Sequence, residues 1–226
     1  RRSSDLLGSS GQAINVFASD NSNIGNYNSL TISDDVTVEA AFAVILREAP
    51  NTKVAYGSQI DVYGTLNGNL WVMGNIQNTD NLCEINIRDG AEVNVDTKTG
   101  TGIALNGAAK LNIGNATITG GTGVEVRAGE LVVNGAVITG KADSISIKPN
   151  GSGVTTLGVG IAVAQHTTKL PISVTIKDGK ISGCSAFYES DPQGNDLAEK
   201  INIVLENGER SEEHTSELQS LGNLVC

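Results

Sequence analysis

The sequence predicts an all-β protein built as a parallel β-solenoid, with three short strands in each coil. The first observation is a tandem repeat: residues 100–120 are followed directly by residues 121–140, and with one gap nine of twenty aligned positions are identical. A period of about 20 residues is typical of solenoids, in which each repeat forms one coil that stacks on the next. The second observation is a strand-like alternation inside each unit, and the third is a turn motif that recurs outside the pair.

Both units of the tandem repeat alternate apolar with other residues in three short segments. A period of two is typical of β-strands with one buried face. Gly or Asn-Gly separates the segments, so each unit is expected to be a three-sided coil with sides of roughly 15 Å that is stable only in a stack. The apolar positions are Ile103, Leu105, Leu111, Ile113, Ala116 and Ile118 in the first unit, and Val124, Val126, Leu131, Val133, Ala136 and Ile138 in the second.

A six-residue turn motif recurs at residues 85–90, 174–179 and 203–208, which read INIRDG, VTIKDG and IVLENG. Each copy ends in Asp-Gly or Asn-Gly, and these residue types tolerate the positive φ of tight turns. Residues 158–164 also repeat the start of both tandem units. The short period favours parallel stacking over hairpins, so the coils are predicted to continue at least to residue 208, about eight in all.

The elements before the tandem repeat are less regular. Residues 30–38 alternate as a strand. Residues 40–49 are ambiguous, because their Ala, Leu and Glu favour a helix while their larger apolar residues alternate. A strand is favoured, since the coil pattern resumes directly at residues 54–64 and 66–76.

Both ends of the chain resemble the translation of a common short-read sequencing adapter. The resemblance lies in RRSSDL at residues 1–6 and in RSEEHTSELQS and NLVC within residues 210–226. Such segments are excluded from fold reasoning. The natural part is then expected to be a truncated metagenomic fragment, with an N-terminal β region at residues 7–53 that leads into a parallel β-helix at residues 54–209.

Three longer excursions interrupt the predicted coils, at residues 141–157, 164–171 and 189–199. Insertions in solenoids project as loops, often on the face that binds a partner. A binding function is therefore expected in these loops.

Composition narrows the classes of partner. The formal net charge is −10, which argues against nucleic acid, because phosphate neutralisation needs Lys and Arg. No apolar run approaches the roughly 18 residues of a membrane span. Cys83 and Cys184, the cysteines outside the adapter-like end, are expected to be small buried thiols and not a disulfide, since several coils separate them.

Candidate catalytic groups are few. His166 is the only histidine outside the adapter-like end, and without an orienting partner it is interpreted as a surface residue. Asp34 and Asp35 could form a carboxylate pair for glycoside hydrolysis, although a turn before Val36 is the favoured interpretation. Residues 78–80 (Asn-Thr-Asp) resemble one motif of polygalacturonases, which are also parallel β-helices, but that family's other motifs do not follow in order, and the match is interpreted as chance.

The candidate metal-binding and sugar-binding residues also have alternative, purely structural interpretations. Arg88 and Arg127 are the arginines that a pectate-lyase-like site would use, but no acidic set can be assigned to their face. The side-chain oxygens of Asp191, Asn195 and Asp196 could bind a calcium ion. The alternative interpretation is that these residues belong to a plain polar loop. Trp71, Tyr56 and Tyr63 could stack on sugar or pack at an edge. Thr119, Thr139 and Ser182 recur at one point of successive units. This row is interpreted either as a structural polar ladder or as a flat surface that binds a repetitive ligand.

The Gly-x-Gly starts and Thr-Gly ends of the units resemble the right-handed parallel β-helix repeats of large secreted proteins. Residues 158–183 with residues 186–196 resemble uncharacterised repeat surface proteins of gut Gram-positive bacteria and their phages. This resemblance implies a right-handed helix and a non-enzymatic extracellular, cell-surface or virion stalk or adhesin that contacts a glycan or protein. The alternative is a fragment of a polysaccharide lyase, a hydrolase or a phage tail depolymerase.

A polysaccharide or host-surface glycan is thus the expected partner, and no nucleic acid, membrane span or cofactor is expected. No catalytic or metal-ligating residue is assigned, and the binding residues and oligomeric state stay open.

Overall fold

The computed structural model describes residues 6–7, 11–17, 29–47, 57–77, 79, 82–148, 156–165, 168–194 and 198–206. These residues form β-strands almost throughout, with one short 3-10 helix at Ala198–Lys200. The strands are β1 (Leu6–Leu7), β2 (Gln12–Phe17), β3 (Ser29–Ile32), β4 (Thr37–Arg47), β5 (Gln59–Val62), β6 (Thr65–Val72), β7 (Glu84–Ile87), β8 (Glu92–Asn94), β9 (Thr101–Leu105), β10 (Ala109–Ile113), β11 (Thr117–Gly120), β12 (Thr122–Val126), β13 (Gly129–Gly140), β14 (Ser146–Ile147), β15 (Thr156–Leu157), β16 (Val159–Ala164), β17 (Ile172–Ser182), β18 (Ser185–Ser190) and β19 (Ile201–Leu205). The all-β prediction is confirmed.

Seventeen of the strands in the described residues join in one large sheet, and their pairings are parallel in three series. The first series runs β3, β5, β7, β10, the first half of β13, the first half of β17, and β19. The second runs β1, the first part of β4, the first part of β6, β8, β11, and the second halves of β13 and β17. The third runs β2, the last part of β4, the last part of β6, β9, β12, β16 and β18. The predicted parallel architecture is confirmed at this level.

The 20-residue period holds only inside the tandem repeat. Ala109 pairs with Gly129, 20 residues on, but Ser29 pairs with Gln59, 30 residues on, and Gly129 pairs with Ile172, 43 residues on. Most of the extra residues lie in the connections, and the β4–β6 and β13–β17 pairings also contain local register shifts. Excursion 141–157 is one such connection, and its β14 and β15 form an antiparallel pair.

The core is built from alternate residues of the strands, as the sequence predicts. Leu111, Leu131 and Val174 are neighbours in the first series, and each is at most 1% exposed. Ile118 and Ile138 form the corresponding buried pair in the second series. Each fully buried side chain of this size contributes about 1.5–3 kcal/mol to folding, so the stacked apolar columns supply the main stabilising term.

The prediction of one exposed face is wrong for the third series, where β9, β12 and β16 are buried at every position. The segment that leads into β16 lies on their outer side. Thr156 donates its backbone N–H to Glu125 at 3.3 Å, and its hydroxyl lies 3.0 Å from that of Ser190. Glu125 also accepts a hydrogen bond of 2.7 Å from Arg127 Nε. A chain segment from outside the tandem repeat therefore covers this face.

Two further expectations concern the N-terminal region. The ambiguous segment at residues 40–49 is a strand as far as residue 47, where β4 ends. β4, which precedes the predicted boundary at residue 53, pairs in parallel with β6, which follows it. The adapter-like residues 1–5 and 210–226 lie outside the described residues.

In the described residues, no disulfide joins Cys83 to Cys184. Cys83 is buried as expected, but Cys184 is exposed, so that expectation is wrong for Cys184. Cys184 lies in the short turn between β17 and β18, and its Sγ donates to Ala142 O at 3.2 Å. In the described parts of the chain, no helix has the length and apolarity that crossing a membrane would require.

Candidate functional site

A groove of about 1050 Å³ lies where the second series of strands turns into the third. β4 and β6 form its floor, and the connection from β8 to β9 lies beside them. The groove is lined by Glu39, Ala40, Ala41, Phe42, Asn67, Gly68, Asn69, Trp71, Asn94, Val95, Asp96, Thr97, Thr99, Gly100, Thr101 and Lys141.

The groove forms because the chain passes from the second series of strands to the third in two different ways. β4 and β6 continue through it as single strands, with irregular register around Phe42. Gly68 takes a φ of +151°, and a Cβ there would collide with Ala40 O. Glycine thus permits the close approach of the two backbones. β8 and β9 are instead joined by residues 95–100, which form a wall next to this low floor.

The wall is held by hydrogen bonds to the second unit of the tandem repeat and the strand before it. Val95 N donates to Thr119 O at 2.9 Å, and Gly100 O accepts from Thr122 N at 3.1 Å. Lys98 Nζ contacts both carboxylate oxygens of Asp143, at 2.6 and 2.7 Å. The two backbone bonds fix the ends of the loop, whereas the exposed ion pair contributes at most about 1 kcal/mol.

An aromatic pair forms the apolar part of the groove. Phe42 and Trp71 are half-buried, and their rings meet edge to face, with centroids 5.8 Å apart and an interplanar angle of 88°. Trp71 Nε1 donates to Met73 Sδ at 3.0 Å. Rings held in this way provide rigid apolar contact area next to polar groups.

Three asparagines supply amide groups to the lining. Asn69 is only 6% exposed; its Nδ2 donates to Thr101 O, while its Oδ1 has no hydrogen-bond partner. Leaving a buried acceptor unpaired costs about 1–3 kcal/mol. Asn67 and Asn94 are half-buried. The half-buried amides of Asn67 and Asn94 therefore offer donors and acceptors beside the aromatic rings of the groove.

Three exposed charges also line the groove: Glu39, Asp96 and Lys141. None of them belongs to the ion pairs formed within the described ranges. The lining therefore carries two carboxylates and one ammonium group that a ligand can reach.

The predicted ladder is present and longer than the sequence suggested. Thr119 pairs in register with Thr139, and Thr139 with Ser182. In the other direction, the same register position continues to three residues that line the groove. We call this row the polar ladder: Glu39, Asn67, Asn94, Thr119, Thr139 and Ser182.

Arg88 and Arg127, the arginines considered for a pectate-lyase-like site, each pair with one carboxylate. Arg88 binds Asp61 through Nε at 2.9 Å and lies 5.9 Å from the ring centre of Tyr63. The hydrogen bond to Asp61 raises the pKa of the Arg88 guanidinium. Arg127 is buried against Glu125. Among the residues that the structure describes, no group of three or more His, Cys, Asp or Glu side chains could hold a metal ion.

The other sequence candidates are scattered. Trp71 lines the groove, but Tyr63 lies with Arg88 away from it. Asp34 and Asp35 occupy a turn closed by a 3.0 Å bond from Val36 N to Ser33 O, which confirms the favoured interpretation. Asp191 is exposed. Tyr56, Asn78, Asp80, His166, Asn195 and Asp196 lie outside the described residues.

Sequence reasoning missed most of the groove. Among the described residues of the three excursions it singled out, Lys141 of excursion 141–157 is the one that lines the groove. The sequence carries no signal that Phe42 and Asn69 lie together. They reach the same corner through the register shift in β4 and the glycine turn in β6, which the alternation of apolar residues does not reveal. A search for aromatic and amide residues at matching positions of successive coils would have found the Asn67–Asn94 pair.

Comparison with known proteins adds no relative. The chain matches no protein-family model, no curated protein and no solved structure.

Proposed function

We propose that this chain is a right-handed parallel β-helix with three strands per coil, and that it is part of an extracellular, cell-surface or virion stalk or adhesin that binds a glycan in the groove. The observation that carries the functional part is the combination of Phe42 and Trp71 with the amides of Asn67, Asn69 and Asn94 in one groove.

The strand order supports the β-helix. From β3 onward the chain passes through the first, second and third series in turn before it returns to the first. Each return adds one parallel strand to each series, as a stacked coil requires. The right hand follows from the strong preference of parallel crossover connections.

The groove supports a sugar ligand for a chemical reason. A pyranose ring has an apolar face of C–H groups and a rim of hydroxyl groups. The rings of Phe42 and Trp71 match the apolar face, and the asparagine side chains both donate to and accept from hydroxyl groups. Surface location follows the resemblance of the repeats to those of secreted and phage proteins.

Binding by the purified full chain to xylan, β-glucan and chitin tests the proposal, with calorimetry on soluble fragments of each polymer. Trp71→Ala is expected to weaken binding at least about tenfold, because it removes a central aromatic contact. Tyr63→Ala is the matched control, since Tyr63 is exposed and lies outside the groove. Asn67→Ala provides a second groove variant that leaves the aromatic pair in place. Absence of binding to every polymer, or equal losses for Trp71→Ala and Tyr63→Ala, would refute the proposal.

A carbohydrate-active enzyme is the second candidate, because Glu39 and Asp96 both line the groove. A pair of carboxylates is the usual machinery of glycoside hydrolysis. Release of reducing ends or unsaturated products from the same polymers, abolished by Glu39→Gln or Asp96→Asn, would establish it. Binding without product release favours the stalk or adhesin.

A further inference from the structure

We propose that the groove and the polar ladder form one continuous site for a linear polysaccharide that runs along the second series of strands, across the successive coils. This inference rests on the proposed glycan binding, and it names the ligand as a polymer and gives the direction in which it lies.

The first argument is continuity. Glu39, Asn67 and Asn94 line the groove and are also the first three residues of the polar ladder. Lys141 extends the groove lining to the coil of Thr139, which it follows by two residues in the chain. The groove is therefore not closed off from the ladder, but opens onto it.

The second argument is that the wall borders the ladder without covering it. The loop at residues 95–100 leaves the sheet directly after Asn94 and is bonded through Val95 N to the backbone of Thr119. The side chains of Thr119, Thr139 and Ser182 are half-buried, so each still reaches solvent. A chain lying on these residues would keep the loop on one side.

The third argument is hydrogen-bonding capacity. Thr119 Oγ1 donates to Asn94 Oδ1 at 3.3 Å, and Thr139 Oγ1 lies 3.2 Å from Ser182 Oγ. A hydroxyl group has one donor and two acceptor positions, so each such bond uses only part of it. The ladder bonds thus orient the hydroxyls and leave positions for ligand hydroxyl groups.

The length of the ladder sets the length of the ligand. Its six residues span five strand-to-strand steps. At about 4.8 Å per step the site is about 24 Å long. A disaccharide would fill only the groove, whereas an oligosaccharide of about five units would reach Ser182.

The experiment is calorimetry with β-1,4-linked oligosaccharides of xylose, glucose and N-acetylglucosamine, from two to eight units long, on the full chain. Affinity for the preferred sugar is expected to rise about tenfold or more up to five or six units and then to level off. Thr139→Val is expected to weaken binding of the long oligosaccharides about three- to tenfold, the effect of one hydrogen bond, and to leave disaccharide binding unchanged.

Thr175→Val is the matched control. Thr175 has the same half-buried environment on the first series, away from the groove and the ladder. Ser182→Ala at the far end of the ladder is a second test variant should Thr139→Val impair folding, which thermal melting would reveal. A purely structural ladder would not produce a loss that depends on ligand length.

The outcomes separate the two proposals. Binding that does not depend on oligosaccharide length, with Thr139→Val and Ser182→Ala equal to Thr175→Val, would overturn the extended site and leave groove binding intact. Failure of every polymer and oligosaccharide to bind would overturn the glycan function itself, and the extended site with it.

Discussion

Replacing Glu125 by Leu should destabilise the fold strongly, because it leaves a buried guanidinium without its counter-ion. Glu125 and Arg127 are each 1% exposed, and Arg127 Nε donates to Glu125 Oε1 at 2.7 Å. Arg127 Nη1 and Nη2 have no hydrogen-bond partner. The substitution also removes the acceptor of Thr156 N, which anchors the segment that covers the third series.

The magnitude follows from burial. Breaking a buried ion pair by removing one partner costs about 3–5 kcal/mol, whereas replacing both partners by apolar residues of similar size is often neutral or stabilising. We therefore expect Glu125→Leu to lower the free energy of unfolding by about 3–5 kcal/mol, and Glu125→Leu with Arg127→Met to recover most of that loss. Asp61→Asn, at the more exposed pair with Arg88, should cost less than about 1 kcal/mol after solvent screening.

Urea denaturation of the wild-type protein and these variants provides the assay, with the coupling obtained from a double-mutant cycle. A loss below about 1 kcal/mol for Glu125→Leu, or a double variant no more stable than the single one, would refute the reasoning, which assigns the cost to an unpaired buried charge.

Three further predictions concern the core and the groove. Leu111→Ala should lower the free energy of unfolding by about 2–5 kcal/mol, because Leu111 is fully buried in the first series,; a loss under about 1 kcal/mol in urea denaturation would contradict the stacked core. Gly68→Ala should cost at least about 1–3 kcal/mol and weaken glycan binding, because Gly68 has positive φ and its added Cβ would push against β4,; unchanged melting and binding would contradict the account of the corner. Glu39→Gln with Asp96→Asn should raise affinity for polygalacturonate several-fold at low salt, because it removes two carboxylates from the groove,; a gain that persists at 1 M salt would argue against an electrostatic cause.

The tandem repeat predicted the architecture because its alternation reports directly which residues are buried. The sequence alone predicts Leu111 and Leu131 at the same place in successive units, and they are register neighbours in the core. The sequence predicts Thr119, Thr139 and Ser182 in one row for the same reason, and the three residues are in register. Such inferences succeed where residues occupy equivalent positions in similar repeat units.

The groove and the covered outer face could not be predicted in this way. Thr156 lies in a long connection, so no period relates it to Glu125, which accepts its N–H. Phe42 lies at a register shift in β4, and alternation alone places residues beyond such a shift on the wrong face. Residue type predicts a buried thiol at Cys184, but Cys184 is exposed. Contacts between connections and corners depend on their conformations, which the repeat pattern does not encode.

The stacking of coils is tested most directly by pulsed electron spin resonance between labelled pairs on the first series. Ser29, Glu130, Ser173 and Asn202 occupy one register position of that series. Spin labels on Ser29 and each of the other three, with the native cysteines replaced by alanine, should give narrow distances near four, five and six strand steps, about 19, 24 and 29 Å. Equal increments of about 5 Å would support the solenoid, because very unequal numbers of residues separate the labelled positions along the chain. Broad distributions, or distances that do not rise in this order, would contradict it.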